Sequence, residues 1–157
     1  MVNEARDLLL RRLAHARRVM ILHGEGWHPW PAPRTRGAEV LGELARHFQE
    51  ILFVDDSEGQ AAWMGRRGLR QGDAASLVGD FLRGGLDLCL VVEAPCQSAE
   101  GASALALAWR AGAWIQRVGD PPCELEALVK ASLPGDAQRQ LGELWECFTG
   151  GPAPEGL

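Results

Sequence analysis

The sequence predicts an α/β fold, a three-layer sandwich in which a mainly parallel sheet is flanked by helices. Three observations carry the prediction. Leu86-Asp87-Leu88-Cys89-Leu90-Val91-Val92 is an almost unbroken apolar run, the pattern of a strand covered on both faces. Strand-length apolar runs alternate with stretches of helical period along the chain, and such alternation with right-handed crossovers builds a parallel sheet. The 157 residues are 46% hydrophobic and 24% charged, which suits one domain with a sizeable core.

A first helix is expected over Asn3–Arg17, where Leu9, Leu10, Leu13 and Ala16 form an apolar stripe and Arg17-Arg18 suit the negative end of the helix dipole. Val19–Leu22 reads as the first strand. The loop His23–Pro33 holds three prolines, which exclude a regular element. A second helix spans Thr35–Phe48, with Val40, Leu41, Leu44, Ala45 and Phe48 at helical spacing. Ile51–Val54 is the second strand and ends at Asp55-Asp56. Ser57–Gly72 is irregular, with one short helix over Ala61–Arg67. Asp73 caps a third helix to Leu82, and Gly84-Gly85 close it.

The third strand is Leu86–Val92, followed by the loop Glu93–Ser98, a small-residue helix over Ala99–Arg110, and a fourth strand over Trp114–Val118. A short helix over Glu124–Lys130 and a last one over Gly135–Phe148 complete the fold. Residues 1–148 form the single domain, and 149–157 a flexible Gly/Pro-rich tail.

Acidic residues outnumber basic ones, 21 to 16, for a net charge of −5, which argues against a nucleic-acid partner. No apolar run approaches the roughly 20 residues that span a bilayer, and no signal-peptide pattern opens the sequence, so a cytoplasmic location with no membrane partner is expected. The four cysteines form no CxxC pair and read as reduced thiols. Of these only Cys96, in a loop, is placed to be reactive.

In open α/β sheets ligands bind at the C-terminal ends of strands, against helix N-termini. The candidate site is therefore Gly24, Gly26 and His28 after the first strand, Asp55 after the second, and Gln97 and Ser98 after the third. His23 and His28 are weak candidates for a metal, and no cofactor is required. Trp27 and Trp30 read as an exposed pair on a partner or ligand surface. Trp145, with Leu141 and Phe148, reads as a dimer seam, making a homodimer or higher homo-oligomer the expected state.

These residues carry a resemblance to the sugar isomerase (SIS) domain family, in its phosphoheptose isomerase branch. Gly24-Glu25-Gly26 is similar to the family's GxGxS turn. Glu43, in Leu41-Gly42-Glu43-Leu44, is similar to the carboxylate of the following helix and becomes the catalytic candidate. Glu93–Ser98 stands where the family has a Ser/Thr-rich phosphate loop, and Gln138, which the resemblance makes a ligand-binding candidate, stands at the start of a QExxH-like pattern whose Glu and His positions hold Arg139 and Leu141. The resemblance implies a SIS/flavodoxin-like fold and a phosphorylated sugar as ligand. The residues say that the phosphate grip is degraded: Ser98 is the one hydroxyl left in the loop, Glu93 repels a phosphate, and Pro95 removes an N–H donor.

The expected function is a SIS-like binding or assembly module without catalysis, taking a protein partner or a modified ligand. The alternatives are a phosphosugar isomerase or phosphosugar-binding protein of sedoheptulose 7-phosphate type, and a Rossmann-like nucleotide-binding protein using Gly24, Gly26 and Asp55. A sirtuin-like reading of the same GxG is also open, although the chain lacks room for a zinc module.

Overall fold

In a computed structural model the described residues, 2–150, form a seven-stranded sheet with helices on both faces. The elements are α1 (Val2–His15), β1 (Arg18–His23), α2 (Arg36–Ala45), β2 (Glu50–Asp55), β3 (Gln60–Gly65), β4 (Gly68–Asp73), α3 (Ala74–Leu82), β5 (Leu88–Val92), α4 (Ala99–Arg110), β6 (Trp114–Val118), β7 (Ala131–Leu133) and α5 (Ala137–Thr149), with a 3-10 turn at Glu126–Leu128. The strand order is β4-β3-β2-β1-β5-β6-β7. From β2 to β7 the strands are parallel, and β3 and β4 continue the sheet antiparallel beyond β2. Of the tail expected over 149–157, Thr149 ends α5 and Gly150 caps it in the left-handed region, while 151–157 lie outside the described residues.

Alternation along the central strands splits the core in two. Val19 and Ile21 of β1 and Leu88, Leu90 and Val92 of β5 face α1, α2 and α5. Met20 and Leu22, with Cys89 and Val91, face α3 and α4. Both faces being covered, β1 and β5 carry no polar alternation until the chain reaches His23. Helix starts follow local chemistry: the side chains of Thr35, Asp73, Ser98 and Asp136 each accept a backbone N–H of the first turn of α2, α3, α4 and α5.

Two segments depart from the sequence-based expectation. Ala61–Arg67 is not a helix but most of β3 and the turn of a hairpin. Gly65 weakens a helix inside that span, and Gly68, at φ +86°, supplies the left-handed residue that closes the tight turn. Trp63 anchors the hairpin: its ring packs edge-on to Phe81 at 5.2 Å, and its indole N–H donates to Glu50 Oε2 at 2.8 Å. The helix expected over Glu124–Lys130 shrinks to the 3-10 turn, and the chain then adds β7 beside β6.

The connection pattern creates a switch point. From β1 the chain moves to β2 on one side, and after the hairpin and α3 it returns to β5 on the other side of β1. The C-terminal ends of β1 and β5 therefore diverge in connection, the place where open α/β sheets form a crevice.

Candidate functional site

The β1/β5 crevice is filled by the protein itself. Gly24 donates its N–H to the Val92 carbonyl at 3.0 Å, and a Cβ on Gly24 would lie 2.1 Å from the Glu93 carbonyl oxygen. Gly24 thus serves close packing of two backbones. Glu93 sits in the left-handed region at φ 48°, a conformation that costs a non-glycine residue about 1 kcal/mol. Its carboxylate is held by the Trp27 indole N–H at 2.7 Å. Trp27, expected to be exposed, is 2% exposed and belongs to the core. Gly26 is a turn residue at φ +86° with open space around it.

The first turn of α4 holds a carboxylate that the sequence did not single out. Asp56 is buried, and its Oδ2 accepts the Cys96 N–H at 3.0 Å while its Oδ1 accepts the Ser98 hydroxyl at 2.7 Å. Ser98 Oγ in turn accepts the Gly101 N–H at 2.9 Å. A Cβ on Gly101 would lie 1.7 Å from Asp56 Oδ1, so the carboxylate rests directly on the helix start, where the dipole favours negative charge. At α2, the Gly37 N–H donates to Gln138 Oε1 at 2.6 Å. Gln138 and Ser98, candidate ligand residues, are therefore structural caps and bridges. Gln97 points toward the β6 side, where its amide donates to Glu124 Oε1 at 3.3 Å.

The open part of the C-terminal edge lies one strand away, over β1, β2 and the hairpin. A cavity of about 280 Å³ is lined there by His23, His28, Trp30, Phe53, Asp55, Glu58, Gln60, Ala61, Ala62, Gln71 and Gly72. Phe53 is its aromatic centre, with Trp30 edge-on at 5.0 Å and His23 at 6.0 Å. Asp55 Oδ1 accepts both the backbone N–H of Ser57 at 2.9 Å and its hydroxyl at 2.6 Å, which fixes the carboxylate at the end of β2. His23 is buried, and its Nδ1 lies 2.8 Å from the Gly24 carbonyl. A carbonyl only accepts, so Nδ1 carries the proton and Nε2 remains an acceptor. Burial holds the His23 pKa below the ordinary imidazole value, against the opposing pull of the Gly24 carbonyl and Asp55.

Of the candidate residues, the structure brings His28 and Asp55 together with His23. Glu43 lies elsewhere, in a groove between α2 and the proline loop, 3.8 Å from Arg46. The rings of His23 and His28 stand 6.3 Å apart, and among the described residues no group of three histidine, cysteine or acidic side chains could hold a metal ion. Cys96 is buried, and its thiol is pushed up by hydrogen bonding with Cys123 and by burial, which corrects its reading as a reactive thiol. Trp145, expected at a dimer seam, lies against His47 of its own chain, with ring centroids 6.1 Å apart. Gln60 and Gln71 escaped the sequence reading because the hairpin that carries them did, and Glu58 because it stands in the turn that leads into it. The Asp-Asp-Ser-Glu-Gly run at 55–59 was the available signal for a tight turn.

No protein-family model matches the sequence, and no curated protein matches it. Solved structures do match in fold. A structure addressing the mechanism and regulation of Sir2 enzymes superposes with a TM-score of 0.65 at 13% identity, covering 94% of this chain and 98% of that one. A Sir2 homologue mutant in complex with ADP ribose gives 0.66 at 12% identity, covering 92% and 96%. Sir2Af2 bound to a myristoylated histone peptide gives 0.60 at 14% identity, covering 93% and 96%.

These likenesses establish a Rossmann-like fold of Sir2 type and correct the SIS/flavodoxin-like assignment. The physical reason for the error is that a GxG turn, an apolar strand and a small-residue helix belong to any open α/β sheet. The expectations built on that resemblance fall with it: a SIS-like assembly module, isomerase chemistry, carbohydrate-derivative binding and a phosphorylated sugar as partner. The loop where that sugar phosphate would sit is filled, its one hydroxyl, Ser98, being committed to Asp56. Among the described residues no helix is long and apolar enough to cross a membrane.

Proposed function

We propose that the domain recognises nucleosides, on a Rossmann-like scaffold, in the cavity over β1, β2 and the β3–β4 hairpin. Asp55 carries this reading. It is a carboxylate fixed at the C-terminal end of the second parallel strand, facing an open cavity, and an acid in that region of a dinucleotide fold accepts the hydroxyls of a ribose. Its Oδ1 is committed to Ser57, so Oδ2 serves the ligand.

The remaining lining suits a base. Trp30, Phe53 and His28 offer aromatic faces and edges, and Gln60 and Gln71 offer paired donors and acceptors. The volume lies just below the roughly 300–1,000 Å³ typical of small-molecule sites, a size for a nucleoside rather than a whole dinucleotide. The ADP ribose bound by a Sir2 homologue of this fold supports the class of ligand.

The test is thermal unfolding with adenosine, ADP-ribose and NAD. A ligand at a hundred times its Kd stabilises the native state by about 2.7 kcal/mol, a rise in Tm of roughly 5–10 °C for a domain of this size. No rise with any of the three at millimolar concentration ends the reading.

A further inference from the structure

The two helix starts at which a sheet of this kind ordinarily holds a phosphate are both occupied by the chain's own side chains. At α2, Gln138 Oε1 takes the Gly37 N–H, and a Cβ on Gly37 would lie 2.3 Å from the Trp27 ring. At α4, the Asp56 carboxylate takes the place of an anion, bonded to the Cys96 N–H and the Ser98 hydroxyl and in contact with Gly101. Between them, Gly24 and Glu93 close the crevice backbone against backbone.

The cavity adds a second, independent argument. Its lining holds Asp55 and Glu58 and, among the described residues, no lysine or arginine. Burial disfavours the charged form of His23. A 5′-phosphate on a ribose seated at Asp55 therefore meets two carboxylates and no arginine or lysine in the cavity wall, and the α4 start beyond it is already taken by Asp56.

We infer that the cavity selects neutral nucleosides over their 5′-phosphates, with Asp56 and Glu58 as the residues that set the discrimination. The inference rests on the nucleoside reading and narrows its ligand class. The resident carboxylate at α4 is what distinguishes this site from a dinucleotide site: the anion is supplied internally, and only the uncharged end of a nucleotide has room.

The experiment is titration calorimetry on the full chain with adenosine, guanosine, cytidine and uridine, each beside its own 5′-monophosphate. The expected result is at least one nucleoside binding tenfold or more tightly than its monophosphate. Glu58→Gln, an exposed position that folding tolerates, and Asp56→Asn, which keeps an oxygen for the Cys96 N–H, should each shrink that ratio severalfold. A monophosphate that binds as tightly as its nucleoside, or more tightly, overturns the inference and leaves the nucleoside reading standing. An unchanged ratio in both variants overturns the assignment to these carboxylates. Binding of none of the eight compounds overturns the nucleoside reading itself.

Discussion

The C-terminal edge of this sheet has a filled half and an open half, and they are neighbours along β1. On the β5 side, Gly24, Glu93, Trp27, Asp56 and Ser98 close on one another through backbone contact and buried hydrogen bonds. On the β2 side, His23, Phe53 and Asp55 face a cavity walled by the hairpin. The first half has the features of a core: fixed polar partners, a left-handed non-glycine residue held in place, and glycines present because nothing larger fits. The second has polar side chains with capacity to spare. The difference teaches that a switch point in topology marks where a site can form, while side-chain content decides whether it does. Here the content moves the candidate site one strand over.

Substitutions separate the halves. The largest effect is expected at Gly24→Ala, whose Cβ would meet backbone at 2.1 Å and should cost about 3 kcal/mol or more in urea unfolding. Gly101→Ala meets a side chain instead, Asp56 Oδ1. It should cost nearly as much alone and far less in an Asp56→Ala background, with a coupling of about 1–3 kcal/mol. Additive costs would mean that the Asp56 carboxylate does not rest on α4. Next comes Trp27→Phe, which leaves Glu93 Oε1 without its donor at a half-buried position and should cost about 1–2 kcal/mol. Nucleoside affinity should stay unchanged, since neither Trp27 nor Glu93 lines the cavity.

The same division describes what could be read from the sequence. The central strands were legible because burial on both faces removes polar residues from them, and helix starts were legible where a capping side chain stands, as at Asp73. The hairpin was not legible: β3 is mostly half-buried and β4 mostly exposed, with glycines at 65, 68 and 72, and what makes them strands is pairing with β2 and the packing of Trp63 on Phe81. β7 is three residues long and exists by pairing with β6. For the site, strand ends pointed to His23, His28 and Asp55. Nothing local told Asp55 from Asp56, whose opposite fates follow from neighbours more than 40 positions away in the case of Ser98. Gln138 entered the candidates through its place in the QExxH-like pattern, and nothing in the sequence shows that Gly37 lies against it.

The pH dependence of stability should come from the boundary between the halves, at His23. Its native pKa lies below the ordinary imidazole value, with burial as the main cause; the Gly24 carbonyl, Asp55 and Asp56 pull it up and His28 pushes it down. Below about pH 6.5 the unfolded chain takes a proton that the native ring resists. Stability is therefore complete above that range and is lost as pH falls through it. Urea midpoints of the native chain should drop between about pH 7 and pH 5, and His23→Gln should flatten that drop. An identical drop in the variant would place the titration elsewhere.

The smallest effect on stability, and the sharpest contrast with Gly24, is expected at Gln71. It is exposed on β4, so Gln71→Ala should change unfolding free energy by no more than about 0.5 kcal/mol. Gln71 lines the cavity wall, and if its amide serves the base of the proposed ligand, losing that polar contact weakens binding by about 0.5–1.5 kcal/mol. The variant should thus fold as the native chain does and bind a nucleoside about two- to tenfold more weakly, read by calorimetry against its own unfolding curve. Unchanged affinity would remove the hairpin from the site and confine recognition to β1 and β2. Loss of affinity without loss of stability would show that the antiparallel extension of the sheet, the part least visible in the sequence, builds the pocket.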